Sequence, residues 1–131
     1  QAKLQKSPEV VVWGSGTPRR ELLYVDDMAE GCLHVMELTE EQIGAELLSY
    51  PKPCFVNLGT GEDVTIRELA ETVSRVVEYH GKLVFDAGKP DGTPRKLQDV
   101  SRMHGLGWCH QVELEEGIRR TYQWYLENYK Y

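Results

Sequence analysis

The sequence lacks a run of apolar residues as long as a membrane-spanning helix needs, about 20 residues. It also lacks an excess of positive charge, because 15 Lys and Arg stand against 21 Asp and Glu and the net charge is −6. Proteins that bind polynucleotides by neutralising phosphates normally carry charge of the opposite sign. We therefore expect neither a membrane nor a nucleic acid as a partner. A small anionic ligand stays compatible with this charge, since a few local cations can hold a diphosphate.

Cysteine is scarce, and Cys32, Cys54 and Cys109 are widely spaced with no C-x-x-C pair. An odd number of distant cysteines fits neither a disulfide framework nor a zinc site, and the 4 histidines also lack the spacing of metal ligands. We expect reduced thiols, a cytoplasmic location and no bound metal. The sequence shows no targeting signal and begins with Gln1 rather than Met, so we expect the chain to begin inside a longer protein.

The phosphate-binding motifs of nucleotide enzymes are missing. Gly14-Ser15-Gly16 and Gly59-Thr60-Gly61 lack the third glycine of G-x-G-x-x-G, and no P-loop with Gly-Lys-Ser/Thr occurs. We interpret both glycine pairs as turns. No tyrosine is followed four positions later by a lysine, the pairing in which an ammonium lowers the pKa of a phenol for proton transfer. The sequence therefore contains neither a recognisable cofactor loop nor this catalytic pair.

The first part of the chain alternates between strand and helix patterns. A β-branched run predicts a strand over Glu9–Trp13, and Glu21–Val25 predicts a second short strand. Asp26 and Asp27 can cap a helix that runs to about Leu38. The buried stripe of this helix is predicted at Met28, Cys32, Val35 and Met36.

The later part continues this alternation. Residues 40–53 predict a partly helical surface connection, and 54–58 predict a buried strand. Thr65 and Glu68 form a T-x-x-E capping box that begins a helix, which the chain leaves at Gly81. The apolar face of this helix is predicted at Ile66, Leu69, Ala70, Val73, Val76 and Val77. The remaining elements are a strand at 83–85, a short helix over 99–106 and a final helix over 113–128. We therefore predict an α/β fold with short strands and about four helices.

Two loops concentrate residues that suit a nucleotide. The segment Trp13–Leu22 (WGSGTPRREL) surrounds a tight turn with an aromatic ring and two guanidinium groups. A base or sugar ring could lie against Trp13, and Arg20 could make bidentate bonds to a diphosphate. The residues alone also allow a core tryptophan beside solvated arginines. The second loop, Lys89–Lys96 (KPDGTPRK), is predicted to be exposed and cationic.

Three stretches carry a resemblance to a known family: VVVWGSGTPRRELLYVDDMA, FVNLGTGEDVTIRELAETV and VFDAGKPDGTPRKLQDVSR. In this order they resemble the GDP-L-fucose synthase family of extended short-chain dehydrogenase/reductases, and the similarity runs over nearly the whole chain. In that family an N-terminal Rossmann lobe binds NADP and supplies the catalytic Ser, Tyr and Lys, with Cys and His as epimerisation acid and base. The resemblance implies that residues 1–131 are the C-terminal sugar-nucleotide-binding region and that the NADP-binding part lies outside this sequence.

The same resemblance implies roles for individual residues. Trp13 and Arg20 match substrate-contact positions in W-G-S-G-T-P-x-R, and Asp91 matches one in K-P-D-G-T-P-R-K; Lys96, which ends that motif, is a further candidate. Arg19 lies outside the matched positions, so we expect it to be solvated. No catalytic or cofactor-binding residue is expected in this chain, because Cys54 and Cys109 fall outside the matching catalytic motif. The strand predicted at 54–58 would belong to the edge of the cofactor sheet.

The resemblance implies that the intact enzyme uses NADP(H) to convert GDP-4-keto-6-deoxy-D-mannose to GDP-L-fucose, by epimerisation and then reduction. The expected partners are the GDP-sugar, the N-terminal Rossmann part of the same protein and a second copy in a homodimer. The fragment alone is expected to bind no cofactor and to be inactive. Two alternatives stay open: a stand-alone, non-catalytic binding module, and a part of another nucleotide-sugar epimerase or dehydratase.

Overall fold

The polypeptide passes four times between two units in the computed structural model, which describes residues 1–51 and 53–129. The first unit contains residues 1–20, 63–96 and the described residues from 113 onward, and the second unit contains the described residues of 21–62 and 97–112. Among the described residues, no helix combines the length and the apolar character that crossing a membrane requires.

The first unit contains a parallel pair of strands. Strand β1 (Glu9–Trp13) is the predicted β-branched run, and it pairs with β4 (Lys82–Asp86) so that Val11 lies opposite Val84. Parallel strands need a long crossover, and here the crossover carries helix α3 (Ile66–Val76). Both strand predictions are therefore confirmed, and Trp13 stands at the carboxyl end of its strand.

The predicted capping box begins α3. Thr65 Oγ1 accepts the amide hydrogen of Glu68 at 3.0 Å, while the Glu68 carboxylate accepts the amide hydrogen of Thr65 at 2.7 Å. The predicted apolar face is half-buried except at Val73, and α3 packs against the final helix α5 (Leu114–Asn128). An ion pair of 2.6 Å between Arg75 and Glu115 joins the two helices.

A second, three-stranded sheet of the first unit consists of two-residue strands. Strand β2 (Arg19–Arg20) lies between β3 (Val64–Thr65), which is antiparallel to it, and β5 (Arg95–Lys96), which is parallel to it. The strand predicted over Glu21–Val25 is wrong, because the backbone pairs two residues earlier. The pairing brings Arg20 beside Lys96.

The second unit holds helices α1 (Val25–Met36), α2 (Glu40–Glu46) and α4 (Ser101–Gly105). Its core contains Met103, Leu106 and Trp108, which is packed against half-buried Leu23, Val35, Leu38, Val56 and Leu58. The short helix predicted over 99–106 is confirmed by α4. The described residues form five helices rather than about four, because part of the predicted surface connection folds into α2.

The core-facing side of α1 differs from the prediction. The buried positions are Asp27 and Gly31, whereas Met28, Cys32 and Met36 are exposed and Val35 is half-buried. A Cβ atom on Gly31 would lie 2.6 Å from the Leu58 side chain, so the helix approaches the core where it has no side chain. The predicted stripe is thus displaced by one residue, a rotation of about 100° around the helix.

Asp27 does not cap α1. Tyr24 is the N-cap residue, and its side chain makes no capping bond. The Asp27 side chain instead accepts the amide hydrogens of Gln111 at 3.1 Å and Val112 at 2.9 Å. These bonds satisfy a carboxylate that is only 3% exposed. The acidic residue fastens a loop to the helix.

The strand predicted at 54–58 is wrong. These residues form no strand in the described part of the chain, and Cys54 and Phe55 are exposed. Arg102 donates to the backbone carbonyls of Pro53 and Phe55, and Asn57 Nδ2 donates to the carbonyl of Asp99 at 3.0 Å. A strand needs a neighbouring strand for its backbone groups, and here side chains bond part of the segment instead.

Candidate functional site

One face of the short sheet carries a neutralised pair of cations. Arg19 and Arg95 are register partners on β2 and β5. The Asp63 carboxylate, whose side chain is 4% exposed, accepts from Arg19 Nε at 2.6 Å and Arg95 Nε at 2.5 Å. The hydrogen bond from Arg95, then that from Arg19, lowers the pKa of Asp63, and the bond to Asp63 raises the pKa of Arg19. Arg19 is thus ion-paired while its side chain stays 40% exposed, whereas the sequence predicted solvation alone.

The other face carries a pair of cations without such a counter-ion. Arg20 and Lys96 are also register partners, and the pleat places them on the face opposite Arg19 and Arg95. Within residues 1–51 and 53–129, neither forms an ion pair with a carboxylate. Arg20 Nη1 donates to two backbone carbonyls, those of Arg19 at 2.6 Å and Thr93 at 2.7 Å. Like charges opposite each other on a sheet are unfavourable, so this face favours an added anion.

Arg20 opens onto a cleft of about 220 Å³. The cleft is smaller than the roughly 300–1,000 Å³ of most small-molecule sites, so it can enclose part of a sugar nucleotide. Its lining consists of Trp13, Gly16, Pro18, Arg20, Ile66, Pro90, Asp91 and Gly92. The Trp13 ring is 72% exposed, which rules out the core tryptophan that the sequence alone allowed. The ammonium of Lys89 lies 5.4 Å from the centre of that ring.

A tight turn connects Trp13 to the arginines. The Asp91 carboxylate accepts two hydrogen bonds from Ser15, one from the amide at 2.8 Å and one from the hydroxyl at 2.7 Å. The first amides of α3 donate to the same turn, Ile66 to the carbonyl of Pro18 at 2.9 Å and Arg67 to the carbonyl of Gly16 at 3.0 Å. These donors, which could otherwise hold a phosphate at a helix N-terminus, are already used.

A carboxylate also accepts backbone amide hydrogens at the second glycine turn, residues 59–61. Glu21 accepts from the amide of Gly61 at 2.7 Å and from the amide of Gln98 at 2.9 Å. A Cβ atom on Gly59 would lie 2.3 Å from the Glu21 oxygen. A negative group thus occupies the concave side of this turn, so its amides do not suit the phosphates of a dinucleotide.

The cleft brings together three of the four residues that the sequence analysis selected. Trp13, Arg20 and Asp91 line it, whereas Lys96 is exposed on the neighbouring strand outside the lining. Their role in binding stays a prediction. Ser15 and Lys89 were not predicted as site residues, although they lie in WGSGTPRREL and KPDGTPRK. Their contacts join positions more than 70 residues apart, which local patterns do not reveal.

Known proteins are similar to this chain in sequence and in fold. The profile of the NAD dependent epimerase/dehydratase family matches residues 1–47. The chain is 59% identical over 128 residues to the GDP-L-fucose synthase of Escherichia coli (strain K12), an alignment that covers 98% of the chain and 39% of that protein. The chain therefore spans about two fifths of the length of this relative.

Solved structures agree with this comparison. A GDP-L-fucose synthetase from Naegleria fowleri bound to NADP superposes with a TM-score of 0.79 at 29% identity, over 98% of this chain and 37% of that one. A GDP-mannoheptose C4 reductase from Campylobacter jejuni with NADP bound gives 0.75 at 37% identity, over 90% and 35%. The α/β fold of the extended short-chain dehydrogenase/reductases is confirmed. Residues 1–47 thus resemble the NAD dependent epimerase/dehydratase family, and nearly the whole chain is similar to about two fifths of a GDP-L-fucose synthase.

Proposed function

We propose that this chain is the GDP-sugar-binding part of an NADPH-dependent enzyme that converts GDP-4-keto-6-deoxy-D-mannose to GDP-L-fucose. The similarity to the E. coli GDP-L-fucose synthase supports the assignment. In the complete enzyme these residues hold the nucleotide end of the substrate. Residues outside this chain catalyse the epimerisation and the reduction of the sugar.

The proposal rests on a difference in counter-ions between the two faces of the short sheet. Asp63 neutralises Arg19 and Arg95, whereas the Arg20 and Lys96 pair has no carboxylate partner among the described residues. A diphosphate supplies negative charge to such a pair, and a guanidinium can bind it through two parallel hydrogen bonds. The diphosphate therefore serves as the missing counter-charge.

Trp13 provides a platform for the guanine base or a sugar ring. A tryptophan that is 72% exposed at the edge of a cationic cleft leaves a large apolar face in water. Stacking of a planar ring covers this face, and the nearby Lys89 ammonium adds positive charge at the same place. The ring and the guanidinium of Arg20 together fix the direction in which the sugar leaves the cleft.

This chain does not itself fit NADPH. The glycine turns do not offer free amides for the pyrophosphate of a dinucleotide, because Asp91 accepts the amide hydrogen of Ser15 and Glu21 accepts that of Gly61. The cofactor, which supplies the hydride, is therefore assigned to the N-terminal Rossmann part. The chain contributes substrate orientation, which accelerates a reaction only when the reacting groups are held close together.

The N-terminal part is also the proposed cover of α1. Val25 is 67% exposed and Met36 79%, and both lie on one face of the helix with exposed Met28 and Cys32. An apolar stripe of this kind normally packs against another element. The proposal further includes a homodimer of the intact enzyme and a cytoplasmic location, both of which stay predictions.

Turnover by the complete protein tests the proposed function. We expect oxidation of NADPH with GDP-4-keto-6-deoxy-D-mannose and none with the matching dTDP-keto sugar. Oxidation with the dTDP sugar alone would contradict the proposal. The control replaces NADPH with no cofactor, where any loss of the keto sugar must come from decomposition.

A second candidate is a reductase that acts on a related GDP-keto sugar without epimerising it. The similarity to the Campylobacter GDP-mannoheptose C4 reductase favours this candidate. Running the reaction in deuterated water separates the two, because epimerisation exchanges carbon-bound hydrogens beside the ketone with solvent. Product without deuterium on the carbons flanking C4 would favour the simple reductase.

A further inference from the structure

We propose that Arg67 is a positioning residue of the cleft, which holds the turn of residues 14–17 so that Trp13 and Arg20 bind one ligand together. Arg67 lies in the first turn of α3 and is not part of the cleft lining. The inference rests on the proposed function, since it concerns the same GDP-sugar site. The role is indirect, because Arg67 contacts the turn and not the ligand.

Three contacts join Arg67 to the turn and to strand β4. Its backbone amide donates to the carbonyl of Gly16 at 3.0 Å, and its Nη2 donates to the carbonyl of Ser15 at 3.2 Å. The guanidinium carbon lies 3.8 Å from the centre of the Phe85 ring, well inside the roughly 6 Å range of a cation–π contact. A planar guanidinium can stack on an aromatic face while the N–H groups at its edge donate hydrogen bonds. Arg67 thus holds two successive carbonyls of the turn while it rests on β4.

The same two side chains enclose Gly16. This glycine is buried and lines the cleft, and its φ of 80° is one that other residues rarely adopt. A Cβ atom on Gly16 would lie 2.7 Å from the Phe85 ring and 3.3 Å from Cβ of Arg67. The pair of Arg67 and Phe85 therefore supports this part of the cleft wall from behind. Removal of the Arg67 side chain leaves the wall without that support.

A second arginine on α3 has different partners. Arg75 forms an ion pair of 2.6 Å with Glu115 and so joins α3 to α5. In the part of the chain that the structure describes, the guanidinium of Arg67 forms no ion pair with a carboxylate. The side chain of Arg75 therefore contributes to the packing of two helices, whereas that of Arg67 orients a segment of backbone. Two arginines of one helix thus allow a matched comparison.

The turn determines how Trp13 and Arg20 are placed relative to each other. Residues 14–19 connect the aromatic wall of the cleft to its cation. A ligand that stacks on the ring and also binds the guanidinium needs both at a fixed separation. A site that is already ordered avoids the entropy cost of ordering it on binding. Arg67 supplies this order from outside the cleft, and a ligand that uses only the cations does not depend on it.

Two ligands of the complete protein, titrated with NADP present to fill the cofactor site, separate this role from a direct or electrostatic one. GDP carries a base and a diphosphate, whereas inorganic pyrophosphate carries only the charge. We expect Arg67→Gln to weaken GDP roughly three- to tenfold and to change the affinity for pyrophosphate less than about twofold. An equal loss for both ligands would mean that Arg67 attracts or contacts the anion itself, and would overturn the inference. Arg75→Gln, the control, should leave both affinities unchanged.

Coupling to Trp13 supplies the second measurement. In a Trp13→Ala background, Arg67→Gln should cause less than about a twofold further loss of GDP affinity; a loss as large as in the unsubstituted protein would overturn the inference. Arg67→Lys keeps the charge but not the planar face, so it should bind GDP more weakly than the unsubstituted protein, and full affinity would mean that charge alone is required. If Arg67→Gln does not fold, as its melting temperature reveals, Arg67→Lys replaces it in both comparisons. Failure of the unsubstituted protein to bind GDP would instead overturn the proposed function itself and this role with it.

Discussion

Arg19 and Arg20 are adjacent residues of the same type, and alternation along strand β2 gives them different partners. Arg19 shares the Asp63 carboxylate with Arg95, whereas Arg20 donates to backbone carbonyls and lines the cleft. A substitution at position 19 therefore removes an ion pair that holds the sheet, and one at position 20 removes a cation from the cleft. The two side chains report on stability and on binding separately.

If the proposed function holds, replacement of Arg20 by Ala should raise the KM of the complete enzyme for the proposed GDP-sugar roughly ten- to a hundredfold. A charge-assisted hydrogen bond is worth about 1.5–3 kcal/mol, and each 1.4 kcal/mol is about a factor of ten. Arg20→Lys should recover only part of the affinity, because an ammonium keeps the charge but not the planar fork. Steady-state kinetics at saturating NADPH measures both variants.

The control for this experiment must be an arginine outside the cleft. Arg119 on α5 is exposed and pairs with Glu115 and Glu116 on the helix surface, where such pairs contribute little. Arg119→Ala should leave KM unchanged, whereas Arg19→Ala should lower the melting temperature. An equal rise in KM for Arg20→Ala and Arg119→Ala would mean that net charge, rather than a specific contact, controls binding.

Gly14 and Gly107 allow a matched test of the contact with Asp91. Both have a positive φ, 88° and 92°, which costs a non-glycine residue on the order of 1–3 kcal/mol. A Cβ atom at Gly14 would meet Asp91 Oδ1, while one at Gly107 would meet nothing within 4 Å. We expect Gly107→Ala to reduce stability alone, and Gly14→Ala to reduce stability and also GDP affinity. Calorimetric titration with GDP would contradict this if both variants bind as the unsubstituted protein does.

The residues of the cleft were predictable to different degrees. Trp13 and Arg20 stand out because an aromatic ring and a guanidinium surround one glycine turn, and the family motif selects the same positions. The bond between Ser15 and Asp91 spans 76 residues, so no local pattern indicates it. Arg19 was misjudged because its partner Asp63 lies 44 residues away and is brought near by strand pairing.

At the scale of elements, helices and strands that are determined by residues within the same segment were predicted correctly. The capping box defines the start of α3 through bonds between residues three apart, and β1 follows from its β-branched run. The segments 21–25 and 54–58 were wrong, because a strand is defined by its neighbour and not by its own residues. The stripe of α1 was displaced for a related reason: the helix approaches the core at Gly31, a position that hydrophobicity does not mark.

The carboxylate of Asp63 should give the short sheet a pH-dependent stability. Its pKa in the folded protein is lowered from the ordinary value of 3.8, chiefly by the hydrogen bonds from Arg95 and Arg19. A lowered folded pKa means that the stabilisation is complete above pH 3.8 and is lost as the pH falls below 3.8 and through the folded pKa. At neutral pH we expect the unsubstituted complete protein to have a higher melting temperature than its Asp63→Asn variant.

That difference should shrink as the pH falls below 3.8. Glu115 and Glu116 also have lowered pKa values, but their arginine partners are Arg75, Arg119 and Arg120, so their contribution is the same in both proteins. A melting-temperature difference that stays constant from neutral to acid pH would contradict the assignment. Arg95→Ala offers a second check, since it removes the largest cause of the shift.

At the scale of the whole molecule, little apolar surface is enclosed by the described residues. The buried large apolar side chains are Val100, Met103, Leu106 and Trp108, all in the second unit, while Trp13, Met36 and Phe55 are among the exposed ones. A fold that buries so little within itself gains correspondingly little from the hydrophobic effect. This fits a chain whose apolar faces are covered by other parts of a larger protein.

The isolated 131-residue chain should therefore show no NADPH-dependent turnover of the keto sugar. Hydride transfer needs a cofactor held against the substrate and an acid to protonate the ketone oxygen, and the sequence contains neither a cofactor loop nor the Tyr and Lys pair. Absorbance of NADPH in the presence of purified fragment and substrate measures this. Turnover by the fragment would mean that catalytic residues lie within it; GDP binding without turnover would agree with a binding part.

The four passages of the chain between its two units limit how relatives can exchange genetic material. A single crossover at any point from residue 21 to residue 111 divides both units between two parents. Such an exchange also separates Trp13 and Arg20 from Asp91 and Lys96 whenever it falls between positions 20 and 91. The two sides of the cleft would then come from different lineages, with Ser15 facing an Asp91 loop that it did not evolve beside. Recombination that keeps both sides of the cleft from one parent must therefore carry residues 13–96 as one inherited block.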